Sequence, residues 1–84
     1  MMSAYDPLKQ KLDAETSDKL ALSFAEIEVI LGRALPESAY KYQAWWSNEQ
    51  TEDTRHVQCR SWLSAGFQVN ADLARRTVEF RRMK

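Results

Sequence analysis

Trp62-Leu63-Ser64-Ala65-Gly66-Phe67-Gln68-Val69-Asn70-Ala71 is the stretch on which the fold turns. Before Gly66, the residues Cys59, Trp62 and Leu63 share one face at helical spacing, so residues 55 to 65 read as a helix. After it, Phe67, Val69 and Ala71 alternate with polar neighbours, and Val78 and Phe80 repeat the alternation. The period falls from 3.6 to 2 at Gly66, which suits a helix C-cap, and Phe67 can fold back onto the helix end. Two strands joined through Asp72 to Arg76 form a hairpin with a basic tip.

Working back from that point, Ser47 to Thr54 is polar and acidic and reads as a loop. Before it, Pro36 suits a first helical turn, Glu37 favours the positive end of the helix dipole, and Ala39, Tyr42 and Trp46 fall on one side. A helix from Pro36 to Trp45 or Trp46 is expected. Ser23-Phe24-Ala25-Glu26 is a capping box, with Leu22 and Ile27 placed as a hydrophobic staple. Ile27, Ile30 and Leu31 continue an apolar stripe up to Gly32, which predicts a helix over Phe24 to Leu31. Lys19 to Leu22 reads as a brief strand. Asp6 as N-cap and Pro7 as first helical residue open a first helix, with Leu8 and Leu12 on one face and an end near Glu15.

This order predicts an α+β fold in one domain, residues 1–84: helices packed on a small antiparallel sheet with a C-terminal β-hairpin. The succession of elements is winged-helix-like, with an extra helix and an acidic loop added.

An 84-residue chain that is 44% apolar, with three each of Trp, Phe and Tyr, can build one shared core. Its single cysteine, Cys59, excludes an intramolecular disulfide, and the first twelve residues lack an apolar leader pattern. A cytoplasmic protein without a membrane span is the expectation. Net charge is zero but uneven. Acidic residues prevail up to residue 40, whereas Arg55, Arg60, Arg75, Arg76, Arg81, Arg82 and Lys84 face only Asp72 and Glu79 from residue 54 onward. Such asymmetry marks either a basic binding face or two halves that pair with each other.

Several phrases together carry a resemblance. They are Tyr5-Asp6-Pro7-Leu8, Leu22-Ser23-Phe24 with Glu26-Ile27-Glu28, Leu35-Pro36 with Ser38-Ala39, and Trp45-Trp46 with Asn48. Trp62-Leu63 with Ala65-Gly66-Phe67, and Val78 with Phe80 and Arg82, complete the set. In order and spacing they resemble a short uncharacterised domain found widely in bacteria, across nearly the whole chain. The resemblance implies a compact domain and no particular activity.

No catalytic constellation stands out. His56 and Cys59 could be neighbours on a helix, but Cys59 shares its face with Trp62 and Leu63, and buried thiols are usually inert. One Cys and one His need carboxylates to complete a zinc site, and Glu52 and Asp53 are the nearby candidates. Both glycines, Gly32 and Gly66, serve as helix caps, so no phosphate loop is expected. The chain is read as non-enzymatic, with no cofactor and no metal.

Two features suggest binding. Tyr40, Tyr42, Trp45 and Trp46 crowd one segment, where adjacent tryptophans point about 100° apart, so one belongs to the core and the other can be partly exposed. Arg75 and Arg76 at the hairpin tip, with Arg81, Arg82 and Lys84 along the last strand, could lie on phosphates. Lys41 and Gln43 could then read base edges and Trp46 could stack on a base. The leading expectation is a nucleic-acid-binding or nucleic-acid-associated module using Lys41, Gln43, Trp46, Arg75, Arg76, Arg81 and Arg82. The alternative is a protein-interaction module that docks through the aromatic cluster or the Glu49–Asp53 loop. Self-association through the edge of the last strand is a third possibility, and the oligomeric state stays open.

Overall fold

The first helix, α1 (Asp6–Asp13), begins one residue earlier than a cap at Asp6 would require. Tyr5 is the N-cap, and its carbonyl accepts from the Leu8 and Lys9 amides; Asp6 and Pro7 are the first two helical residues. The helix stops at Asp13, short of Glu15, whose carboxylate instead accepts the Ser17 amide. A computed structural model describes residues 4–48 and 57–83.

Strand β1 (Lys19–Ser23) leads directly into α2 (Phe24–Leu31) through the expected capping box. The Glu26 amide donates to Ser23 Oγ (3.0 Å), and the Ser23 amide donates to Glu26 Oε1 (2.9 Å). Leu22 and Ile27 both lie in the buried cluster. Gly32 ends the helix at φ 72°, a left-handed conformation that a side chain would strain.

The expected Pro36–Trp46 helix is broken. Helix α3 covers only Glu37–Lys41; Tyr42 is extended (φ −122°, ψ 121°), and a 3-10 turn follows over Gln43–Trp46. Tertiary packing overrides helical spacing here. Trp46 is inserted between Phe24 and Trp62, stacked at 5.1 and 5.9 Å, while its indole N–H donates to the Ala39 carbonyl (2.8 Å). The extended Tyr42 gives that ring its place and leaves its own side chain 61% exposed.

Helix α4 (Val57–Ser64) ends before Gly66 at φ 87°, and β2 (Phe67–Asp72) and β3 (Thr77–Arg82) form the expected hairpin. The start near residue 55 and most of the acidic loop lie outside the described residues. The sheet order is β1-β3-β2, all antiparallel. The last strand is therefore the central one and has no free edge, which removes self-association through it. Among the described residues four helices pack against this sheet. The core joins Leu8 and Leu12 of α1, Phe24 and Ile27 of α2, Cys59 and Trp62 of α4, and Phe67, Val78 and Phe80 of the hairpin. The α+β class is as the alternation after Gly66 implies.

Candidate interaction surface

The two sheet edges are built differently, and the phase of the hydrogen-bond ladder shows how. In the β2–β3 pair, Gln68, Asn70 and Asp72 stand opposite Arg81, Glu79 and Thr77. The Met83 amide donates to the Gly66 carbonyl (2.7 Å), which sets the alternation. The even residues of β2 turn their backbone to β3, and Phe67, Val69 and Ala71 turn theirs to the outer edge. Side-chain amides occupy that edge at Val69 and at the Ala71 carbonyl. Asn48 Nδ2 donates to the Val69 carbonyl (2.9 Å), and the Val69 amide donates back to Asn48 Oδ1 (2.9 Å). Trp62 Nε1 donates to the same oxygen (3.2 Å). Gln43 Nε2 donates to the Ala71 carbonyl (2.9 Å). A carboxamide carries one acceptor and two donor hydrogens, so it can replace a strand's peptide group.

Among the described residues the opposite edge lacks such a cover. The Phe24 amide donates to the Arg76 carbonyl and the Arg82 amide to the Asp18 carbonyl, both at 2.8 Å. In an antiparallel ladder these bonds turn Leu20 and Leu22 toward β3 and leave the N–H and C=O of Lys19 and Ala21 facing outward. Both residues are exposed, and among the described residues no side chain pairs with those groups. Beside this edge lies a depression of about 310 Å³ lined by Leu22, Val29 and Ile30, with Lys11 and Glu26 on its rim. Val29 is 81% exposed, the most exposed large apolar residue described.

The seven residues singled out from the sequence do not gather on one face. Lys41 is paired with Glu37 (2.6 Å) one turn away on α3. Gln43 holds the β2 edge, and Trp46, 3% exposed, is a core ring with no face free for a base. Trp45 is the partly exposed partner, edge-on to Tyr5. Arg75 and Arg76 share the hairpin tip. Arg75 is loosely paired with Asp72 (3.9 Å), and Arg76 lies over the Tyr40 ring (5.2 Å) with φ 56°. Arg81, at the far end of β3 and on the outward sheet face, is bound to Glu79 (2.7 Å). Arg82 turns to the other side, covering Phe67 (4.6 Å), pairing with Asp18 (3.3 Å) and donating to the Glu15 and Ser17 carbonyls. The late guanidinium groups are thus spread over three locations, and three of them meet carboxylates.

The outward sheet face is mixed in character. Lys19, Arg81 and Gln68 form one row and Ala21, Glu79 and Asn70 the next. A shallow depression of about 430 Å³ between Asn48, Gln68, Asn70, Glu79 and Arg81 is polar, and its one cation and one anion bind each other. Elsewhere Glu28 accepts from the Leu35 amide (2.7 Å) and the Tyr40 hydroxyl (2.8 Å). Those bonds hold the Glu28 carboxyl below its ordinary range and, in return, push the Tyr40 phenol up. The Tyr40 ring carries Arg76 on its face, so one chain of contacts ties the hairpin tip to α2.

Among the described residues no group of three or more His, Cys, Asp or Glu could hold a metal, and no helix is long and apolar enough to cross a membrane. His56, Glu52 and Asp53, weighed above beside Cys59, lie outside the described residues. Cys59 itself is fully buried.

Residues 5–83 match the family model described as a domain of unknown function, DUF7662. The chain belongs to the DUF7662 family. No curated protein and no solved structure matches it. The phrases running from Tyr5-Asp6-Pro7 to the last strand all lie within the matched residues. Several of the quoted residues have structural work in this DUF7662 domain: Ser23 and Glu26 cap α2, Asn48 holds the β2 edge, and Trp46 and Trp62 stack in the core. Sequence reasoning missed Asn48 and Ala21 as determinants of the two edges. An amide two residues after a tryptophan-rich turn carries no periodic signal, and an exposed alanine carries none at all.

Proposed function

We propose that this DUF7662 domain is a non-enzymatic protein-interaction module that pairs through the free edge of β1. The observation that carries this reading is the asymmetry of the sheet. On one edge two carboxamides take the Val69 N–H and C=O and the Ala71 C=O, whereas the other exposes the backbone of Lys19 and Ala21 beside the apolar Leu22–Val29–Ile30 depression. An open edge supplies main-chain hydrogen bonds to an added strand, and an adjoining apolar patch supplies affinity.

The nucleic-acid reading draws support only from Arg75 and Arg76 at the hairpin tip. Phosphate binding needs several unneutralised cations on one face, and the other late arginines lie elsewhere. The winged-helix comparison gains little as well. Helix α4, which directly precedes the hairpin, buries Gln58, Cys59, Ser61 and Trp62. Helix α3 has only five residues.

A photo-crosslinking amino acid at Val29, introduced into the native cells, tests the edge reading, with the same group at Asn70 on the outward sheet face as control. A discrete protein adduct at position 29 and none at position 70 supports it. Equal or absent labelling at the two positions overturns it.

A further inference from the structure

Resting on the edge reading just given, we infer that the strand added to β1 is the β1 of a second copy of this chain. The pairing is antiparallel about a two-fold axis beside Leu20.

The register follows from which groups are free. Lys19 and Ala21 each turn one N–H and one C=O outward, whereas the Ser23 amide is already bound to Glu26. A two-fold axis at Leu20 sets each chain's Lys19 opposite the second copy's Ala21. All four outward groups of each chain then enter hydrogen-bonded pairs, and no position beyond Ala21 is needed. An axis at Ala21 would instead require the committed Ser23 amide.

Side chains agree with this register. Lys19 faces alanine and not a second lysine, so like charges do not oppose each other across the strands. Leu20, only partly buried against the core, meets its own copy in a close, non-hydrogen-bonded pair. A two-fold axis normal to the sheet keeps the helices of both copies on one side, so the two Leu22–Val29–Ile30 depressions lie near the same seam. Each depression carries one cation, Lys11, and one anion, Glu26, a set that is complementary to itself. Twelve basic and twelve acidic side chains leave the chain without net charge, so two copies approach without long-range repulsion.

Three variants with one wild-type series test the inference by sedimentation and by disulfide trapping under mild oxidation. Wild type should move from monomer to twice the chain mass between micromolar and millimolar concentration. Ala21→Pro removes an outward N–H that takes no part in the β1–β3 ladder, and it should remain monomeric while its circular dichroism stays native. Leu20→Cys should form a covalent dimer, because non-hydrogen-bonded antiparallel partners meet disulfide geometry. Ala21→Cys, opposite Lys19 in this register, should trap far less. A wild-type chain that stays monomeric with no trapping of Leu20→Cys overturns the second copy as partner, as does an Ala21→Pro chain that still dimerises. In either case a crosslink from Val29 to a different protein keeps the edge reading, and loss of that crosslink too removes both.

Discussion

Asn48 and Val69 exchange two hydrogen bonds, so a side-chain carboxamide occupies the place of a neighbouring strand on the outer edge of β2. The same oxygen receives the indole N–H of Trp62, whose ring is fully buried. One residue outside the sheet thereby satisfies both backbone groups of an edge position and fixes a core tryptophan.

Asn48→Ala should therefore destabilise the fold. It leaves two backbone groups and an indole N–H without partners, a loss of about 1–3 kcal/mol. At about 4–8 °C of melting temperature per kcal/mol for a chain of this size, calorimetry resolves the effect. Asn48→Asp should also lower the melting temperature, because a carboxylate cannot donate to the Val69 carbonyl and sets a charged oxygen against it. A melting temperature unchanged in both variants would mean that the edge does not depend on this amide.

Val29→Asp should leave the melting temperature nearly unchanged. The side chain is 81% exposed, and surface substitutions usually fall within about 0.5 kcal/mol. The same substitution should lose the partner contact. Trp46→Ala gives the contrast: it removes a ring stacked on two others and should cost about 3–5 kcal/mol, seen as a large fall in the denaturant midpoint.

Acid stability should depend on Glu28. Its carboxyl is held low by the Leu35 amide and then by the Tyr40 hydroxyl. A carboxyl with a depressed folded pKa contributes stability above its unfolded value, near 4.3 on average, and loses it as pH falls through the lower folded value. Wild type should lose stability over that acid range more steeply than Glu28→Gln, measured by urea unfolding at successive pH values. Parallel profiles would show that the bonds to Leu35 and Tyr40 do not act on folding.

Titration with DNA or RNA should give weak binding at most. Only Arg75 and Arg76 stand together at the hairpin tip, so the slope of log affinity against log salt should not exceed about 2 in magnitude. A steep slope, reduced by charge reversal of Arg75 and Arg76, would restore the nucleic-acid reading.

Much of the fold was legible because its signals are local. The Ser23–Glu26 capping box, Gly32, Gly66 and the alternation of Phe67, Val69 and Ala71 each specify an element without reference to distant residues. The Pro36–Trp46 segment was misread because its break is dictated from elsewhere, by the slot between Phe24 and Trp62 into which Trp46 stacks. The basic cluster misled for a similar reason. Position in the chain does not reveal that Arg81 and Arg82 leave the strand on opposite faces and meet Glu79 and Asp18. Lys41, Gln43 and Trp46 share a short stretch, yet they serve an ion pair, a strand edge and the core.

Amide hydrogen exchange of Val69 and Ala21, followed by NMR from dilute to concentrated protein, is the most direct test of the unequal edges. The Val69 amide should be protected at every concentration, because Asn48 holds it within one chain. The Ala21 amide should exchange freely when dilute and become protected as copies pair. Protection of Ala21 in dilute solution, or free exchange of Val69, would contradict this assignment of closed and open edges.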